Sequence, residues 1–154
     1  YEYIATHGCS SAPDAPPPKR MGLYAESSGG ALATSLLLRR KSAGASLPVA
    51  CVMVSPWLDL SCSGGSFIVH EAYDLVLQKQ RMVGIASAYL GGGSGDADAS
   101  PLLQPPESFA GLPPTLIHVG DTEVLLDDAR SFAESAALQG SDVTVKEWSG
   151  VLHA

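Results

Sequence analysis

The apolar positions of this chain fall into short blocks that alternate between two periods. Residues 21–25, 49–54 and 115–119 are nearly unbroken apolar runs of strand length, as expected of parallel strands covered on both faces. Residues 143–148 (Val-Thr-Val-Lys-Glu-Trp) alternate and read as a fourth strand. Helical spacing fills the intervals: 29–40, most of 67–90, and 124–138, the last stopped at Gln139-Gly140. Residues 1–6 read as the tail of a helix ended by Gly8, and 9–18 as a loop rich in Ser, Ala and Pro. Strand and helix in strict alternation predict an α/β fold, a predominantly parallel sheet with helices on both faces. Residues 1–154 form one domain, with 61–100 as a loop and helical insertion.

Composition narrows the function more than the fold. Sixteen acidic against nine basic side chains leave a net charge of −7, which cannot neutralise a run of phosphates, so nucleic acid is not an expected partner. Lys19-Arg20 and Arg39-Arg40-Lys41 flank predicted elements as solvated ends. Three cysteines (Cys9, Cys51, Cys62) are too few and scattered for a disulfide framework or a zinc site, and Cys51 reads as a small core residue. Gly91-Gly92-Gly93-Ser94-Gly95 follows a helix and lacks the Gly-Lys-Ser/Thr ending of a phosphate loop, so it reads as a flexible loop. No metal or cofactor is expected. No apolar run has the length of a membrane span and no signal peptide is visible, which favours the cytoplasm.

The chemistry concentrates at strand ends, where an α/β sheet gathers its reactive groups. Glu26-Ser27-Ser28-Gly29-Gly30 breaks the first strand and opens the first helix at once. A serine at such a junction has its hydroxyl clear of the sheet edge, and glycines behind it let helix and strand close together. Ser27 is therefore a candidate nucleophile, with helix capping by Ser27 or Ser28 as the plainer reading. Asp121-Thr122-Glu123 follows the third strand and His153 the fourth. A serine hydroxyl needs a base, histidine can be that base near neutrality, and a carboxylate orients the ring. The chain order Ser…acid…His is that of α/β-hydrolases. On residue chemistry alone the acid is Asp121 or Glu123; Asp127 and Asp128 fall inside the next helix, solvated or bonded to neighbouring loops. His7 reads as a helix-end residue, His118 as a satisfied core histidine, and His70 with Asp74 as one helix face.

Four passages together resemble the hormone-sensitive-lipase-like carboxylesterases, α/β-hydrolase fold-3. Ala25-Glu26-Ser27-Ser28-Gly29-Gly30 is similar to their Gly-Asp-Ser-Ala-Gly-Gly elbow, and Ser55-Pro56-Trp57-Leu58-Asp59-Leu60 to Ser-Pro-Trp-x-Asp-Leu. Glu123-Val124-Leu125-Leu126-Asp127-Asp128 is similar to the acid segment of some bacterial and fungal members, and 148–153 to Trp-x-Gly-x-x-His. The resemblance implies hydrolysis of small carboxylic esters through an acyl-enzyme. It implies Ser27 as nucleophile, Glu123 as acid, His153 as base and the Ser28 N–H as an oxyanion donor. A serine peptidase of the same fold is the alternative enzyme, and a ligand-binding remnant, as in the related gibberellin receptors, the non-catalytic one. Ala25 departs from the usual glycine, with strain expected at a tight elbow. The family's His-Gly-Gly-Gly loop is not among the 26 residues before Ser27, so the chain is expected to be the C-terminal half of a member, its N-terminal strands missing. An unpaired apolar edge at 21–25, poor solubility and weak activity are the expected consequences.

Overall fold

A computed structural model describes residues 1–8, 17–92 and 96–153; Cys9, most of the 9–18 loop, Gly93-Ser94-Gly95 and Ala154 lie outside them. After a short helix α1 (Glu2–His7), the chain runs β1 (Leu23–Glu26), α2 (Gly29–Ser42), β2 (Cys51–Val54), α3 (Ser66–Val69) and α4 (Lys79–Tyr89). Two 3-10 turns, Pro101–Leu103 and Pro106–Phe109, lead to β3 (Thr115–Gly120), α5 (Leu126–Leu138) and β4 (Val143–Trp148). The strands form one four-stranded sheet in the order β1-β2-β3-β4, every pair parallel. Sequence-adjacent strands lie side by side because each helix carries the chain back over the sheet by one position.

Register puts Ala25 beside Met53, Met53 beside Ile117 and Ile117 beside Val145. These residues share one face of the pleat, and Ala33 and Leu37 of α2 with Ala129, Phe132 and Ala136 of α5 pack on it as the main core. Phe109 meets Phe132 edge to face at 5.4 Å. Val52, Val54, Leu116 and His118 point to the opposite face and are half-buried. His118 is thus outside the core: its Nδ1 accepts the Trp148 indole N–H at 2.8 Å and the two rings stack. β1 is an edge strand, paired among the described residues with β2 alone. Within the expected apolar stretch 21–25 Tyr24 is exposed, and Glu26 just beyond it is exposed as well.

A second core cluster lies beyond the carboxyl ends of the strands, where Ala31, Trp57, Leu60, Phe67, Met82 and Val124 meet. The helical pattern over 67–90 resolves here into two pieces, α3 and α4, separated by turns. Asp74 is the physical cause. Its buried carboxylate accepts the N–H groups of Val76 (2.9 Å) and Leu77 (2.8 Å), which a continuous helix would bond internally, and that of Val124 (3.0 Å) from outside the segment. His70 and Asp74 therefore do not share a helix face.

Candidate active site

Ser27 stands where β1 turns into α2, with φ at +51°, a strained region for any residue other than glycine. The strain is held from three sides. The Ser27 N–H donates to the Val54 carbonyl, and the Ser27 carbonyl accepts the N–H groups of Gly30 and Trp57, each at 2.9 Å. Gly30 is required sterically, since a β-carbon there would stand 2.5 Å from the Pro56 β-carbon. Gly29 is not: its nearest neighbour would be the Ala25 methyl at 3.9 Å, ordinary contact. Ala25 keeps a strand conformation with no positive φ, so the strain of the elbow falls on Ser27 and not on the alanine.

Glu123 follows β3 and is fully buried. Its Oε1 accepts the Gly120 N–H at 2.6 Å and the Ser55 hydroxyl at 2.7 Å, and its Oε2 lies 2.9 Å from His153 Nδ1. The other ring nitrogen, Nε2, is 3.0 Å from Ser27 Oγ. An ionised carboxylate only accepts hydrogen bonds, so Nδ1 carries the proton and Nε2 is left to accept from the serine hydroxyl. The three side chains lie at the ends of β1, β3 and β4 and converge through one line of hydrogen bonds. The His153 side chain is 5% exposed and that of Glu123 1%, which keeps water from competing for the bond between them.

Asp121 does not reach the histidine. Its Oδ1 accepts the Gly150 N–H at 3.2 Å and so steadies the turn that delivers His153. Asp127 and Asp128 are bonded to loops: Asp127 accepts the Ser66 N–H, and one oxygen of buried Asp128 accepts those of Leu58 and Asp59. Burial pushes the Asp128 carboxyl up to about 7 against those two bonds, with the charges of Asp59 and Asp127 adding to the rise. Burial also works to raise Asp59, but hydrogen bonds from Ser61 and Ser63 outweigh it and hold Asp59 below the usual carboxylate range.

The Ser28 N–H opens α2 and has no hydrogen-bond partner among the described residues. Beside it a cavity of about 250 Å³ is lined by Ala31, Leu32, Trp57, Leu60 and Ile85. No group of three or more His, Cys, Asp or Glu side chains is placed to hold a metal among the described residues. Burial pushes the Cys51 thiol up to about 11 and that of Cys62 to about 12, which makes both unreactive near neutrality. No described helix is long and apolar enough to cross a membrane.

Two groups near Glu123 are not singled out as site residues by the sequence. Ser55, at the end of β2, has φ at +45° and reaches Glu123 directly. Ser66 donates its hydroxyl to the Val124 carbonyl while Asp74 takes the Val124 N–H, so the residue after Glu123 is gripped on both sides. Only the Ser-Pro-Trp passage marks Ser55 in the sequence, and nothing marks the burial of Ser66 or Asp74.

The sequence model of the alpha/beta hydrolase fold matches residues 1–154. An acetyl-hydrolase of Streptomyces hygroscopicus is 37% identical over 154 residues, covering 99% of this chain and 48% of that protein. An esterase of Acinetobacter venetianus is 33% identical over 136 residues, covering 87% of this chain and 44% of the relative. Among solved structures, an esterase from the bacterial hormone-sensitive lipase family superposes with a TM-score of 0.86 at 34% identity, over 100% of this chain and 49% of that one. A hormone-sensitive lipase from a metagenome library gives 0.79 at 32%, over 86% and 45%. The chain thus spans about half the length of the relatives it matches.

Proposed function

Since the chain belongs to the α/β-hydrolase fold family, among its hormone-sensitive-lipase-like members, we propose that it contributes the nucleophile, base and acid of a carboxylic ester hydrolase. Ser27 is the nucleophile, His153 the general base and Glu123 the acid. The observation that carries this is the unbroken line from Ser27 Oγ to His153 Nε2 (3.0 Å) and from Nδ1 to Glu123 Oε2 (2.9 Å).

In the reaction, His153 Nε2 takes the hydroxyl proton as Ser27 Oγ attacks the ester carbonyl carbon. Glu123 holds Nδ1–H in place and stabilises the imidazolium that forms. The tetrahedral oxyanion meets the Ser28 N–H at the start of α2, where the helix dipole also favours negative charge. As the C–O bond breaks, the imidazolium gives its proton to the departing alkoxide, leaving an acyl ester on Ser27. A water then repeats the sequence: its proton passes to His153, its oxygen attacks the acyl carbon, and Ser27 Oγ leaves with the proton returned.

Residues 1–154 are on this reading part of a catalytic domain, with 61–100 as a loop and helical insertion near the site. The cavity beside Ser28 is small and mostly apolar, with Asp98 also lining it, and relatives named acetyl-hydrolase and esterase support small esters as substrates. The test is release of p-nitrophenol from p-nitrophenyl acetate by the 154-residue chain. Turnover above the uncatalysed rate that vanishes in Ser27→Ala is expected; turnover that survives the substitution would assign it to another group.

A further inference from the structure

Three described residues other than glycine have positive φ: Ser27, Ser55 and Cys62. Ser27 and Ser55 stand at opposite ends of one hydrogen-bonded line, Ser27–His153–Glu123–Ser55. We propose that Ser55 is a positioning residue for the catalytic acid, seated in a strained backbone because only there does its hydroxyl reach Glu123. The proposal rests on the assignment of Ser27, His153 and Glu123 as a triad.

The geometry leaves the serine little else to do. Its side chain is buried, and its backbone N–H is already used, donating to the His118 carbonyl at 2.8 Å. Glycine would take the same φ without penalty, so the serine side chain is what the site gains from the strain. The hydroxyl donates to Oε1, joining the Gly120 N–H on that same oxygen. Two donors fixed on Oε1 leave Oε2 as the oxygen that faces His153 Nδ1, and they fix the plane of the carboxylate. They also draw negative charge toward Oε1, which moderates how strongly the acid holds a proton on the imidazole. Pro56 follows directly and packs against Gly30 of the elbow, so the turn that presents Ser55 to the acid also braces the nucleophile. Within the triad's hydrogen bonds the His153 ring touches Glu123 and Ser27, so a change in its titration reports on those partners.

Ser55→Gly and Ser55→Ala separate the hydroxyl from the strain. Both remove the donor; glycine relaxes the backbone and alanine keeps the methylene. With the triad intact, each should lower kcat/KM for p-nitrophenyl acetate by about 10- to 100-fold, in kcat more than in KM, because the acid is no longer aimed. In each, the NMR titration of His153 should move to higher pH, since a carboxylate with one donor fewer favours the imidazolium. A serine that only fills space predicts losses in thermal stability with the His153 titration where it was. Ser55→Gly with wild-type kcat/KM and an unmoved His153 titration overturns the proposal. Wild-type turnover insensitive to Ser27→Ala overturns instead the triad assignment beneath it, and the NMR titration separates the two outcomes without requiring turnover.

Discussion

Replacing Gly120 with alanine should disable the site without replacing any side chain of the proposed triad. Gly120 ends β3, and its N–H donates to Glu123 Oε1 at 2.6 Å, a bond that alanine preserves. A β-carbon at 120, however, would overlap the Val151 carbonyl oxygen and stand 3.1 Å from both the Val151 carbonyl carbon and Glu123 Oε1. Restoring van der Waals separation requires that carbonyl to withdraw by about 1 Å. Val151 precedes His153 by two residues, in a turn otherwise tied down by the Gly150–Asp121 bond, so the displacement passes to the imidazole. A misplacement of about 1 Å costs about 10²-fold in rate. The overpacking itself costs about 1–3 kcal/mol of stability. Steady-state hydrolysis of p-nitrophenyl acetate, beside thermal melts, measures both. An alanine variant that folds and keeps kcat/KM within about twofold would refute the claim that the position of the 149–153 turn sets the rate.

The acid assignment has its own contrast. Glu123→Gln should lower kcat by about 10⁴-fold, since an amide can hold the ring in the wrong tautomer. Asp121→Asn keeps an oxygen for the Gly150 N–H and should stay near wild type in the same assay; equal losses would undo the choice of Glu123. Asp128 predicts a pH dependence of stability. Its folded carboxyl titrates at about 7, above the unfolded value, so the folded state binds the extra proton. The stabilisation is complete below the unfolded value and is lost as pH rises from about 4 to 7, by up to about 4 kcal/mol. Asp128→Asn keeps an oxygen for the Leu58 and Asp59 N–H groups, and denaturant melts at pH 5 and 8 should differ less in this variant than in the wild type.

Strand and helix alternation, the elbow and the order of serine, acid and histidine are legible because each is a local signal. Apolar runs mark strands, glycines mark the tight turn at 29–30, and Glu123 and His153 each follow a strand after a short loop. What is not legible depends on burial across the chain. The 67–90 pattern has helical spacing throughout, yet Asp74 breaks it by reaching Val124, fifty positions away in sequence. His118 looks like a core residue because its neighbours in β3 are apolar, while the sheet turns it to the half-buried face beside Trp148. Asp128 reads from the sequence as solvated or bonded to a neighbouring loop, and only burial decides between the two: it lies buried under the 57–59 loop. Choosing Glu123 over Asp121 from the residues alone is likewise beyond local pattern, since both follow β3 and only the turn at 149–153 decides which of them meets the ring.

The most direct measurement of the central claim is active-site labelling of the wild-type chain with a fluorophosphonate, followed by mass spectrometry of the peptides. A nucleophile activated as the geometry implies is phosphonylated at Ser27 alone. An unlabelled chain, or an adduct on any residue other than Ser27, contradicts it.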